Sequence, residues 1–207
     1  MFLFLADVSL LSHDLKNVLL NGEDHNVTFS VQDKKIRAHQ DILRARSEVF
    51  RSMLTHDMVE KNSGAISVPD CDPQAFEQLV LYIYTGKVKK IDENIMFGLY
   101  YTADKYSIPH LKDVCRKFIK KSFSIANVCE VIKLASKHSD EDLLNCAVNY
   151  FCNNAEDIFL TVEWQLFIKE NSTTANELII KSFKRVKATL IESYRKNLYV
   201  SFYELST

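Results

Sequence analysis

Apolar positions step by three and four from Leu11 through Leu15, Val18 and Leu19, then stop at Asn21-Gly22, which predicts a helix closed by a left-handed cap. Val27, Phe29 and Val31 alternate with Thr28, Ser30 and Gln32, the two-residue period of a half-buried strand. Asp33-Lys34 can turn this strand into a partner carrying Ile36 and Ala38. Helical steps resume at Ile42, Leu43, Val49, Phe50, Met53 and Leu54, and Met58 and Glu60 fall just past the periodic run. A short strand, Ile66 to Val68, ends at Pro69. Pro73 opens a helix with Phe76, Leu79, Val80 and Ile83 on one face and Gly86 beyond its end. Ile95, Met96, Leu99, Tyr100 and Ala103 give another, and Pro109 opens a third through Leu111, Val114, Cys115, Phe118 and Ile119.

All three prolines (69, 73 and 109) and all four glycines (22, 64, 86 and 98) precede residue 110, so the second half lacks strong helix breakers. There the apolar positions keep helical period: Val128, Val131, Ile132 and Ala135, then Leu143, Leu144, Ala147, Val148 and Phe151, then Trp164 to Ile168, then Leu178 and Ile179. Polar breaks at His138-Ser139-Asp140, Asn153-Asn154 and Asn171-Ser172 separate them into stacked helices. With strands early and helices late, the expected class is α+β. The expected organisation is a short segment over 1–10, a sheet-and-helix domain over 11–122, an all-helical domain over 123–190 and a helical tail over 191–207.

At 207 residues with 47% hydrophobic and 26% charged positions, the chain can build one or two cores of roughly 100 residues each. A formal net charge of −1 leaves no basic surplus to neutralise phosphates, so nucleic acid is not an expected partner. No apolar run reaches the ~18 residues that span a bilayer, so no membrane is expected either. Met1 to Leu11 is apolar but lacks a basic start and is broken by Asp7, unlike a secretory signal. Five cysteines (71, 115, 129, 146 and 152) form no C-x-x-C pair, which predicts reduced, buried thiols and a nuclear or cytoplasmic home.

Candidate chemistry is sparse. His39 has no second ligand at metal spacing and reads as a hydrogen-bonded structural histidine where strand meets helix. No nucleophile with its base, no phosphate loop and no metal cluster is present, so no enzyme, cofactor or metal is expected. Two features point to partners. The stripe of Leu11, Leu15 and Val18 precedes every strand and must be covered either by the chain's own core, which periodicity alone prefers, or by a partner subunit. Met58 lies two residues before the carboxylate of Glu60, beyond the last core position, as a loosely packed loop or as a presented contact.

The segments IRAHQDILRARSEVFRSML, LYIYTGKV and ADKYSIPHL, in this order and spacing, resemble the BTB/POZ family, and within it the speckle-type POZ protein group. The resemblance implies a BTB/POZ domain followed by a BACK-like helical domain. It implies that the first helix packs across a two-fold axis through Leu11, Leu15 and Val18, with Ile42 at another dimer contact. It also implies that Met58-Val59-Glu60 is an apolar-x-Glu element that holds cullin-3, the methionine filling a groove and the carboxylate setting register. The implied protein is a non-enzymatic dimeric adaptor of a ubiquitin ligase, acting on a substrate protein that is unknown, or pairing with MATH-BTB relatives. Those relatives carry a substrate-binding MATH domain where this chain has about ten residues. The alternative is a homo-oligomerisation module, like the tetramerisation domain of potassium channels or a transcription-regulator BTB domain, with no cullin binding. Many BTB domains place an acid at position 26 and a base at position 40; here Asn26 and Gln40 replace both charges, which keeps hydrogen bonding and speaks against a co-repressor pocket.

Overall fold

The computed structural model describes residues 8–22, 24–55, 65–89 and 92–204, which fall into two compact units that divide between Lys121 and Ser122. The first unit runs α1 (Val8–Asn21), β1 (Val27–Val31), β2 (Lys34–Ala38), α2 (Gln40–Arg46), α3 (Glu48–Thr55), β3 (Ile66–Ser67), α4 (Pro73–Thr85), α5 (Glu93–Lys105) and α6 (Pro109–Lys121). Its sheet has the order β2-β1-β3. β1 and β2 pair antiparallel, with Val27 opposite Ala38 and Phe29 opposite Ile36. β3 lies parallel to β1, Phe29 opposite Ile66, and a parallel pair needs the crossover that α2 and α3 occupy. The strand alternation read from sequence holds, since Val27, Phe29, Val31, Ile36 and Ala38 are all buried. A small sheet wrapped by helices, with a helical C-terminal region, is an α+β fold.

Four fully buried rings join the pieces of this unit. Phe50 of α3 stacks on Tyr106 at 4.5 Å and 16°, while Phe29 of β1 meets Phe76 of α4 at 5.1 Å and Phe50 at 5.5 Å. These offset and tilted geometries are the ones ring quadrupoles favour. Ser47, between α2 and α3, fastens the same place: its hydroxyl donates to the Tyr106 carbonyl at 2.6 Å and accepts from the Phe50 N–H at 3.1 Å.

Helix ends follow from residue chemistry. Asp72 accepts from the N–H groups of Gln74 and Ala75, and Pro73 behind it has no N–H to satisfy. Gly86 closes α4 at φ +65°, a conformation that costs other residues energy. Gly98 of α5 lets α4 approach: a Cβ there would lie 3.1 Å from that of Ala75. The periodicity places one apolar face on α4, yet Leu81, Tyr82 and Tyr84 are buried as well. Contacts with α1, α2 and α5 explain this, because a helix covered on several sides is apolar all round. The turn before α4 is tied to α5 by Asp70, which accepts from Tyr101 at 2.7 Å and pairs with Lys105 at 2.6 Å. Those two partners hold its carboxyl below the ordinary range, and the same bond pushes the Tyr101 phenol up to about 12.

The second unit contains α7 (Val128–Lys137), α8 (Glu141–Asn153), α9 (Ala155–Phe159), α10 (Val162–Glu170) and α11 (Ser172–Glu204). Asn127 ties its start, accepting from the Ser124 N–H at 2.9 Å and donating to the Ser122 carbonyl at 2.7 Å. Trp164 is buried against Phe151 and Phe167, as a core residue of this unit. The polar breaks separate helices as the pattern predicts, whereas the tail expected from residue 191 has no break of its own. α11 runs through that position because nothing between 172 and 204 is a glycine or proline. Likewise the first helix begins at Val8, within the short segment expected over 1–10.

Phe50→Ala should destabilise the protein by about 3–5 kcal/mol, through lost ring burial and the cavity left behind. Urea unfolding followed by circular dichroism checks this, and Asp72→Ala should cost about 0.5–2 kcal/mol in the same assay.

Candidate functional site

α1 is seated in an unusual way. Its one buried residue among those described is Ser12, whose hydroxyl donates to the Thr85 carbonyl at the end of α4 at 3.0 Å. Leu11 is 61% exposed and Val18 44% exposed, with Leu10 and Leu20 also turned outward. A core-facing helix would have the reverse pattern, leucines in and serine out. The exposed side continues into a cleft of about 520 Å³ whose apolar lining is Leu11, Leu15, Ile42, Ala45 and Ile83. Leu11 and Leu15 of α1 are thereby brought together with Ile42 of α2, across about thirty residues of sequence. Val18 lies exposed on the same helix and outside that lining.

A second depression, about 660 Å³, has a mixed lining: Arg46, Glu48, Arg51, Asp104 and Lys112 alternate with Ala103, Ile108 and Pro109 beside α3 and the α5–α6 junction. Lys112 and Asp104 pair there at 2.5 Å. Met58 and Glu60, the residues singled out in the sequence, lie outside the described residues.

His39 is where strand becomes helix, as expected. Its N–H donates to the Tyr84 hydroxyl at 2.8 Å, and that hydroxyl lies 2.7 Å from Nδ1. The hydroxyl thus bridges the backbone and the ring of His39 and holds the imidazole at this junction. Burial holds the Tyr84 phenol above its ordinary range. Asn26 and Gln40 are linked, but not as a buried amide pair: exposed Asn26 accepts from the Gln40 N–H at 2.8 Å. This remote side chain caps α2, because His39 at the N-cap position makes no capping bond. The sequence reading missed Ser12 and Tyr84. A lone serine inside a leucine stripe, and the second tyrosine of LYIYTG, were the available signals.

Among the described residues, no group of three or more His, Cys, Asp or Glu side chains is placed to hold a metal ion. All five cysteines are free; burial pushes the Cys115 thiol up to about 12 and that of Cys129 to about 11, which keeps both protonated at neutral pH. No helix of the described residues is long and apolar enough to cross a membrane.

The architecture is thus a three-stranded mixed sheet wrapped by helices, with an apolar helix face turned outward. Residues 15–123 match the BTB/POZ domain, more than half of the chain, and the chain belongs to that family. BTB/POZ domains are protein-interaction modules, typically without enzymatic activity, that mediate dimerisation.

Tyr84→Phe strands the His39 N–H without its acceptor and should cost about 1–3 kcal/mol. Asn26→Ala should cost about 0.5–2 kcal/mol through loss of the α2 cap, and thermal or chemical denaturation measures both.

Proposed function

We propose that this chain is a non-enzymatic adaptor that pairs with a second copy, or with a MATH-BTB relative of the speckle-type group, through α1, and docks cullin-3 to assemble a ubiquitin ligase. The single observation that carries the pairing is the inverted seat of α1, with Ser12 turned in and Leu11 and Val18 turned out beside a cleft that also includes Ile42. An isologous contact there buries the patch against its own copy, so each substitution is felt on both sides of the axis. Cullin-3 docking rests on the resemblance of the stretch Lys35 to Glu60, and the groove beside α3 extends the surface available to such a partner. In this reading Met58 anchors and Glu60 sets register, while the second unit is BACK-like and the substrate is another protein. The site of action is the nucleus, the cytoplasm or both.

Light scattering on the eluting protein tests the pairing. Wild type should run as a dimer and the double variant Leu15→Asp, Ile42→Asp as a folded monomer; a monomeric wild type removes the proposal. Capture by the cullin-3 N-terminal domain tests the docking. Burial of a methionine contributes about 1.5–3 kcal/mol, so Met58→Ala should weaken binding by roughly ten- to a hundredfold, and Glu60→Ala should also weaken it. A dimer that ignores cullin-3 supports the oligomerisation module instead.

A further inference from the structure

A second pair of rings lies behind α1. His25, in the connection from α1 to β1, sets its ring edge-on against His39, with centroids 4.6 Å apart and planes at 69°. Both His25 ring nitrogens are shielded from solvent and neither makes a well-formed hydrogen bond among the described residues. The groups acting on this ring come from three places: His39 at the head of α2, Arg37 on β2, and the Leu19 carbonyl near the end of α1. Beyond His39 stands Tyr84 of α4, already engaged with Nδ1. The neighbouring Asp24 is exposed.

An imidazolium has two N–H donors and a full charge, and the Leu19 carbonyl can serve one of those donors at most. Burial first, then His39 and Arg37, hold His25 below its ordinary value of 6.5, and the Leu19 carbonyl, which favours the charged form, is outweighed. The connection has two left-handed residues, Gly22 at φ +73° and Asp24 at φ +58°, and the His25 ring lies over Gly22 at the end of α1, where a Cβ would make ordinary contact with it at 3.9 Å.

We propose that the His25–His39 contact is an acid-sensitive latch that seats α1 on its unit, so that mild acidification loosens this helix and weakens self-association through its outer face. The second half of that statement rests on the pairing reading above. The direction follows from linkage. The unfolded chain takes up the proton more readily than the fold does, so the latch is whole above about pH 6.5 and weakens as pH falls below it.

Hydrogen–deuterium exchange on the full chain at pH 7.5 and 5.5, corrected for intrinsic rates, reads the latch, with α4 as the internal standard. The amides of α1 should lose protection several-fold at the lower pH while α4 keeps its own. His25→Phe, which keeps a ring without a charge, and His25→Gln should both abolish the loss. Unchanged α1 protection in the wild type, or an equal loss in both variants, overturns the latch. Sedimentation velocity at the same two pH values reads the coupling: a dimer that dissociates as α1 loosens supports it, and a dimer that persists overturns it. A chain that is monomeric at both values, with α1 still loosening, sinks the pairing and leaves the latch standing.

Discussion

The burial of four rings against one another is the constraint on which the first unit rests. Phe29 comes from the central strand, Phe50 from α3, Phe76 from α4, and Tyr106 follows the end of α5, so the cluster is where sheet, crossover and helical layer are made to agree. Removing water from such large surfaces supplies much of the driving force of a domain this size, and ring geometry adds direction to a force that otherwise has none. The Tyr106 hydroxyl is buried with no hydrogen-bond partner among the described residues, and desolvation holds its phenol far above the ordinary range. The ring contributes its face to the core at the expense of a polar tip.

That rigid centre explains how α1 can be held by its polar side. α4 is covered on several sides, and its end offers a carbonyl at Thr85 that Ser12 reaches. A single hydrogen bond is a small net contribution, so the helix also relies on packing and on the connection at His25. The consequence is an apolar surface turned outward on a helix seated against α4. Interaction surfaces are commonly drawn from such elements, because the partner completes the burial the chain leaves undone.

Hydrogen bonds from distant residues do the work that local sequence does elsewhere. The α2 helix is capped by Asn26, fourteen positions upstream, and the strand end before it is held by Tyr84, forty-five positions downstream. Both bonds satisfy backbone donors that have no partner within their own segment. They converge on the same corner as the His25–His39 contact, where the α1–β1 connection, the head of α2 and the end of α4 meet.

The order and type of most elements were legible from residues alone, because the two-residue period of Val27 to Val31 and the helical steps around Phe76 or Val131 are imposed by local geometry; the five-residue α9 (Ala155–Phe159) was not. Asp72-Pro73 and Gly86 marked helix ends for equally local reasons. The break at 191 was not in the chain, since no glycine or proline follows Pro109 to end α11. Tertiary structure decided which face of α1 turns inward, because Leu11 and Ser12 are adjacent and periodicity cannot say what lies across from either. It decided the parallel pairing of β3, the burial of α4 on every side from Leu79 to Tyr84 and the meeting of His25 with His39. Each depends on groups far apart along the chain, whose contact is set by packing around the four rings and not by spacing.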